Sequence, residues 1–321
     1  MRSPVVSVVL PTYDRLEFLR PAIESLFAQT FEDWELVIAD DGSSGETRAY
    51  LESLESPPRV KVIWLRHTGR PSVVRNAALR EAQGEYVAFL DSDDVWLPTK
   101  LEIQIASLRC HAARQWSYTR FALVDPAGNP TPPARTRCWP VPSGWILENL
   151  LIGTTVIALP SVVVSRQLIE QLGAFDEELV MCEDDEMWFR LAAHSEIDGV
   201  DEPLTLVRRH GQHSGNDIIA WQDRRRVFEK RLRASSSGHL GSILRKLRAE
   251  MSAGLAKSQA ASGKRIGALG TLVSSAAHSW RYPRCWLGAL AATAFAFAPQ
   301  SMRMLVRRYR HRHQVFTRER T

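Results

Sequence analysis

The sequence is poor in cysteine. Cys110, Cys138, Cys182 and Cys285 are the only four in 321 residues, they lie far apart, and no two share a CxxC spacing. A zinc knuckle and a disulfide-stapled scaffold are thereby excluded. Glycine-rich phosphate loops are missing too: no GxGxxG follows the first apolar segment, and GxxxxGK followed by Ser or Thr occurs nowhere. A dinucleotide fingerprint and a P-loop are both ruled out. The apolar stretch that begins at Cys285 meets Pro299 after 14 residues, short of the roughly 20 that span a bilayer. The opening MRSPVVSVVLPTYD is too short in apolar residues for a signal peptide and reads as a first strand, which predicts a cytoplasmic body. No repeat of solenoid period is present.

What is there is a chain with 45% hydrophobic residues, enough for a domain of about 200 to 250 residues plus an appendage. The net charge of +5 conceals an asymmetry, because residues 221–321 hold 21 Lys or Arg against 4 Asp or Glu, or +17, and leave −12 on the first 220. An acidic body with a basic tail is unlike a uniformly cationic nucleic-acid binder, and no nucleic-acid-binding module signature or aromatic interleaving accompanies the charge. The tail alone suits phosphates or an anionic membrane.

Along the first 90 residues short apolar runs alternate with helical patterns. Strands are predicted at Val5 to Leu10, Trp34 to Ala39, Val60 to Leu65 and Glu85 to Leu90, with helices after Asp14, from Glu46 to Leu54 and from Ser72 to Ala82. That alternation predicts an open, mostly parallel α/β sheet covered on both faces. A ligand site is then expected beyond the carboxyl ends of the strands, where Pro11-Thr12-Tyr13, Asp40-Asp41 and Asp91-Ser92-Asp93 would converge. From about 106 to 215 prolines break the pattern into loops. Strands are expected only around Pro160 and at Thr205 to Arg208, and helices at Arg166 to Leu172 and Glu183 to Ala193, before the polar loop from Arg209 to Ser214.

The run AFLDSDDVW, residues 88–96, ends a buried-strand pattern in three carboxylates within four positions. Buried carboxylates without partners cost several kcal/mol or take up a proton, so the cluster requires solvent, donors or cations. Two readings stand at this point. Asp93 or Asp94 caps a helix that begins near Pro98, or Asp91 and Asp93 share a Mg²⁺ or Mn²⁺ ion that holds a diphosphate. A second acidic stretch, Glu183-Asp184-Asp185-Glu186-Met187-Trp188, is either a solvated helix start with Trp188 buried or the source of a general base, Asp184, projecting into the cleft.

Taken in order, VSVVLPTYDR near the N-terminus, ELVIADDGS at 35–43, VRNAALREAQGEYVAFLDSDD at 74–94, and LGAFDEEL with EDDEMW at 172–188 resemble a family-2 glycosyltransferase of the GT-A fold, bacterial, non-processive and inverting. The resemblance spans roughly residues 5–215. It implies a Rossmann-like open mixed sheet flanked by helices, with a donor-binding half at 1–105, an acceptor-binding and catalytic half at 106–220, and a mainly helical extension at 221–321. It also implies metal-dependent transfer of one sugar from a nucleoside diphosphate sugar, UDP-linked, to a hydroxyl of a saccharide or lipid-linked acceptor.

Carried over residue by residue, the resemblance implies that Pro11, Thr12 and Tyr13 bind the donor, with Tyr13 stacked on the nucleobase. Asp41 would accept a hydrogen bond from the base, with Asp40 near the ribose, and Arg75 would hold the pocket against the base or by pairing with Asp41. Asp91 would reach the ribose or bound water, and Ser92 would also bind the donor. Asp93 would be the principal metal ligand, with His210 on the metal or diphosphate, and Asp184 the catalytic base beside Glu183 and Trp188. By residue type alone, Tyr13 and Trp188 also suit a core, Arg75 a solvated helix, Asp40 and Asp41 an Asx-turn, and His210 and His213 a surface loop. Two positions depart from the family pattern: Asp14 and His67 stand where Asn is usual. With Arg66 and Arg70, His67 makes a cationic loop near the expected diphosphate.

In the tail, RRRVFEKRLRA and the segment from Leu240 to Leu255 predict basic helices separated by Ser235-Ser236-Ser237-Gly238. Arg281, Tyr282, Arg284 and Trp286 before the short apolar stretch, and arginines after it, suit peripheral attachment to the inner face of the cell membrane. Oligomerisation or packing on the body is the other use of such a tail. A processive synthase would carry QxxRW and long membrane spans, and neither is found. A sugar-phosphate nucleotidyltransferase would carry a Gly-rich loop with Arg and Lys where PTYDR stands. A catalytically silent binding or scaffold module of the same fold is the remaining alternative.

Overall fold

Consecutive apolar residues in VSVVLPT and WELVIAD require burial on both faces, and in the computed structural model these segments are inner strands of a sheet. The structure describes residues 3–54, 59–111, 113–131, 139–209, 217–235 and 237–298. It divides into two units, Met1–Ser214 and Gly215–Thr321.

The first unit begins β1 (Val6–Thr12), α1 (Leu16–Phe27), β2 (Trp34–Asp40), α2 (Gly45–Ser53), β3 (Val60–Trp64), α3 (Pro71–Glu81) and β4 (Tyr86–Phe89). It continues β5 (Val95–Trp96), α4 (Lys100–Cys110), β6 (Arg114–Val124), α5 (Leu147–Leu151), β7 (Val162–Ser165), α6 (Arg166–Leu172), α7 (Glu183–Ala192) and β8 (Glu196–Arg208). Among the described residues the strands form one sheet in the order β3-β2-β1-β4-β7-β6-β8-β5. The pairs among β1 to β4 are parallel, whereas β7 is antiparallel to both neighbours and β5 to β8. The sheet is therefore mixed and flanked by helices, the Rossmann-like GT-A arrangement.

Alternate residues of the inner strands enter opposite cores. Val8, Leu10, Leu36 and Ile38 pack with Leu19, Ile23 and Leu26 of α1 and Leu101, Ile105 and Leu108 of α4. On the other face Val9, Val37, Val87 and Phe89 meet Val74 and Ala78 of α3, Leu168 and Ile169 of α6, and Met187, Trp188 and Leu191 of α7. Each fully buried Leu, Ile or Val contributes roughly 1.5–3 kcal/mol, so both helical layers are held firmly against the sheet. Gly84 is required at the entry to β4, since a Cβ there would lie 2.5 Å from the Ser7 amide nitrogen. The chain runs from β1 outward to β2 and β3, then returns to the other side of β1 as β4. The topological switch thus falls between β1 and β4, and register puts Thr12 beside Asp40 and Val9 beside Phe89 at one edge.

The region from 106 to 215 is more regular than its sequence suggests. β6 and β8 are 11 and 13 residues long and pair in parallel. The expected strand at Thr205 to Arg208 is the end of β8; the rest escapes pattern reading because Ser117 and Thr119 are buried polar residues and because Gly199 and Pro203 lie within β8. A register shift lets Thr119 pair with Val200 and Arg120 with Pro203, so the turn-like stretch bulges out of the ladder without ending it. The helix near Pro98 starts at Lys100; its N-cap Thr99 makes no side-chain cap bond, and Gln29 Oε1 accepts from the Leu101 amide at 3.0 Å instead.

The described part of the second unit is helical: α8 (Asp217–Ala234), α9 (Gly238–Ala261), α10 (Arg265–Ser279) and α11 (Pro283–Phe297). α9 packs against the other three through small residues, including Ala253, Ala256 and Ala260, which meet Leu272, Ala268, Ala289 and Ala296. Gly254 lies under the Trp221 ring, where a Cβ would come within 2.5 Å of ring carbon. Among the described residues no helix is long and apolar enough to cross a membrane.

Candidate active site

At the switch between β1 and β4 opens a cavity of about 410 Å³. Pro11, Thr12 and Tyr13 from the end of β1, Asp41 from the end of β2, and Asp91, Ser92 and Asp93 after β4 line it. His67 and Arg70 from the loop before α3, and Arg75 from α3, complete the expected set, joined by Arg15, Gly69 and Val74. Asp40, Glu183, Asp184 and Trp188 are not on the cavity wall, and His210 and His213 lie outside the described residues.

The two aspartates at the end of β2 do different work. Asp40 is buried and its Oδ2 accepts from the Gly42 and Ser43 amides at 3.2 and 2.8 Å, which makes the turn; among the described residues its buried Oδ1 has no partner. Gly42 at φ +86° continues that turn, and a Cβ there would lie 3.0 Å from the His67 amide nitrogen. Asp41 draws in the loop before α3. Its Oδ1 accepts from the amide and hydroxyl of Thr68 at 2.8 and 2.9 Å, and its Oδ2 from the Gly69 amide at 2.9 Å, with His67 Nδ1 at 3.1 Å. Most of the acceptor positions of the Asp41 carboxylate are thus taken. His67 also stacks on Tyr13, ring centroids 4.1 Å apart. At φ 39° Asp14 occupies a left-handed conformation that Asn and Asp tolerate best, and its Oδ1 accepts from the Ser44 amide at 2.8 Å at the start of α2.

Arg75 turns away from Asp41. Its Nη2 donates to Asp91 Oδ1 and its Nη1 to Glu183 Oε1, both at 2.7 Å. Burial works against its charge, but Asp91 and Glu183 outweigh it and hold the guanidinium pKa above its ordinary value. Burial pushes Asp91 and Glu183 upward, and the facing arginine pulls each partly back. Asp93 is paired with Arg15 at 2.8 Å. Asp94 points inward, where its Oδ1 accepts from the Arg208 amide at 2.8 Å; burial, then Asp93 and Asp91, hold its carboxyl well above the usual range. Arg208 Nε donates to the Asp93 carbonyl at 2.9 Å, so the end of β8 pins the acidic turn from behind. Neither capping role suggested for Asp93 and Asp94 is taken up.

The first turn of α7 carries Glu183, Asp184, Asp185 and Glu186, next to the positive end of the helix dipole. Asp184 is half-buried and accepts from the Asp185 amide at 2.8 Å. Burial, then the Asp185 charge, raises its carboxyl to about 6. Trp188 is a core residue, stacked on Trp116 at 5.9 Å and near Phe89. Arg15 and Arg208 were not among the residues singled out from sequence. Arg15 was legible as the cation directly after PTYD, whereas nothing local marks Arg208.

Among the described residues no three His, Cys, Asp or Glu side chains gather as a metal site. Two carboxylates, Asp91 and Asp93, do line the one cavity. Two hard oxygen donors beside open space match what a Mg²⁺-type cation takes from protein when phosphate and water supply the rest.

The profile of glycosyl transferase family 2 matches residues 7–125. A putative teichuronic acid biosynthesis glycosyltransferase, TuaG of Bacillus subtilis, is 38% identical over 129 residues, 40% of this chain and 51% of its own length. WfgD of Escherichia coli, a UDP-Glc:alpha-D-GlcNAc-diphosphoundecaprenol beta-1,3-glucosyltransferase, is 38% identical over 109 residues, 34% of this chain and 42% of its own. The chain spans only 30% and 33% of two rickettsial glycosyltransferases that match over about two thirds of it. The structure of S. aureus TarS residues 1–349 with UDP-GlcNAc aligns with a TM-score of 0.61 at 22% identity, covering 91% of this chain and 81% of that one, a likeness of fold.

Proposed function

On the premise that this chain belongs to the family-2 glycosyltransferases of the GT-A fold, we propose that it transfers one sugar from a UDP-linked donor to an acceptor hydroxyl with inversion. The observation that carries the reading is the Arg75 bridge from Asp91 to Glu183, which ties the acidic turn at the cavity to the start of α7. Asp184, next to Glu183, carries a carboxyl raised to about 6, so near neutral pH it is ionised yet basic enough to take a proton. It removes the proton from the acceptor hydroxyl, whose oxygen bonds to the anomeric carbon. The bond from that carbon to the diphosphate breaks, and its electron pair leaves with the diphosphate.

Tyr13 offers a half-exposed ring to the base at the cavity mouth. Arg15 and Arg70 can face phosphates, since among the described residues each has only one nitrogen engaged, with Asp93 and with the Glu177 carbonyl, whereas Arg75 is committed to two carboxylates. Asp93 and Asp91 would hold a Mg²⁺ or Mn²⁺ ion, which would supply positive charge for the departing diphosphate. The glycan-diphospholipid named for WfgD supports a lipid-linked saccharide as acceptor.

The test is a panel of nucleotide sugars with Mn²⁺, with Mg²⁺ and with chelator, scored by thermal shift and by release of nucleotide. One UDP-sugar that stabilises the chain and is hydrolysed slowly is expected. A chain that binds no nucleoside diphosphate under any of these conditions would sink the proposal.

A further inference from the structure

In the second unit, two helices carry large apolar side chains outward and most of their hydroxyls inward. Along α10, Ile266, Leu269, Val273, Ala277 and Trp280 recur every three or four residues and face solvent, with Ile266 85% and Val273 69% exposed. Thr271, Ser275 and Ser279 of the same helix are buried. α11 repeats the arrangement, with Leu287, Leu290, Ala294 and Phe297 outward and Thr293 buried. A helix facing water shows the opposite pattern. Ile266 and Phe297 line one open groove of about 550 Å³, so the two apolar stripes converge there.

Charge frames the same surface. No Asp, Glu, Lys or Arg occurs from Ile266 to Trp280 or from Cys285 to Ala298. Lys264 and Arg265 line the groove at the start of α10, Arg281 precedes α11 and Arg284 stands in its first turn, and no carboxylate occurs between Glu250 and Glu319. An apolar surface with cations at the ends of its two helices is complementary to acyl chains under a layer of anionic headgroups. At 15 residues each, the helices are about 22 Å long, too short to span a bilayer but suited to lying in its surface.

We propose that the outer face of α10 and α11 docks this protein on an anionic lipid bilayer. Ile266, Leu269, Val273, Leu287 and Leu290 enter the acyl boundary, and the four cations at the helix ends meet headgroup phosphates. The inference goes beyond sugar transfer and stands without it.

The full chain is sedimented with vesicles of phosphatidylcholine alone and of phosphatidylcholine mixed with phosphatidylglycerol. Binding to the mixed vesicles, weakened by salt, is the expected result. The triple variant Ile266→Ser, Leu269→Ser, Val273→Ser should need roughly tenfold more lipid or fail to bind. The double variant Lys264→Gln, Arg265→Gln should lose much of the preference for the anionic vesicles. The two variants change different residues, so a folding defect in one leaves the other decisive. Wild-type protein that stays in the supernatant, or variants that bind as wild type does, would overturn the proposal. So would a wild-type dimer that the triple variant converts to monomer without any vesicle binding, since the face would then belong to a second copy. UDP binding measured in the same samples separates loss of this surface from loss of the donor site.

Discussion

Arg75 and Glu183 are 108 positions apart in the chain and 2.7 Å apart in the fold. The guanidinium that makes this contact also holds Asp91, so one buried cation joins the turn after β4 to the first turn of α7. Each carboxylate is partly shielded from water and depends on that cation for compensation.

Replacing Arg75 should therefore cost more than one surface ion pair. Arg75→Met keeps the stem but leaves two carboxylates at a buried position, and a loss of about 3–5 kcal/mol is expected in urea or thermal unfolding. Arg75→Lys has one ammonium where two parallel contacts are needed and should recover only part of it. An unchanged melting temperature in both would show that the bridge contributes nothing.

Asp184→Asn should leave UDP binding nearly intact and slow transfer by about 10²- to 10⁴-fold. In the wild type, transfer should fall as pH drops through about 6, where the carboxylate takes up its proton. Stability should move the other way. The folded carboxyl at about 6 lies above its ordinary 3.8, so the folded state binds protons more readily and its stability declines as pH rises through that window. Melting curves across the window should show a smaller decline for Asp184→Asn than for wild type. An identical rate in the variant would remove Asp184 from the chemistry.

Asp93→Asn should weaken metal-dependent UDP binding while leaving the fold in place, because the bond from Arg208 to the Asp93 backbone carbonyl is kept and the ion pair lost with Arg15 is partly exposed. Thermal shifts with UDP, with and without Mn²⁺, give the readout. A full metal-dependent shift in the variant would mean that the cation is held elsewhere.

Tyr13→Ala should reduce UDP affinity by the equivalent of about 1–3 kcal/mol, the range for an aromatic under a base, and Tyr13→Phe should keep most of it. Titration calorimetry checks both. Because Tyr13 stacks on His67 in this structure, His67→Ala should free the ring and change affinity less than Tyr13→Ala does.

Lys100 has no functional assignment and tests the physics of the core. It is fully buried, its Nζ donates to Gln104 Oε1 at 2.7 Å, and it lies over the Trp96 ring. Burial holds its pKa well below the usual lysine range. The unfolded chain then binds the extra proton, so stability should rise with pH while the unfolded lysine remains charged. Lys100→Met should be as stable as wild type or more so at neutral pH, with a flatter pH dependence in urea unfolding. A large loss of stability would show that the bond to Gln104 outweighs desolvation.

The sequence alone determined the inner strands and the residues at their ends. Strands β1, β2 and β4 are buried on both faces, so their apolar runs are continuous and readable, and the polar residues that close them stand where a parallel sheet gathers ligands. Of β6 and β8 it disclosed only the last four residues, Thr205 to Arg208, because buried Ser117 and Thr119 and the internal Gly199 and Pro203 imitate loop. Nor did it disclose partners. Arg75 could have faced Asp41, Asp91 or solvent, and the choice of Asp91 with Glu183 depends on α7 packing its Trp188 against Trp116 and so bringing an acidic helix start to α3. Local pattern carries hydrophobic periodicity because burial repeats along one element. The pairing of charges separated by a hundred residues is decided only when the cores that carry them have closed.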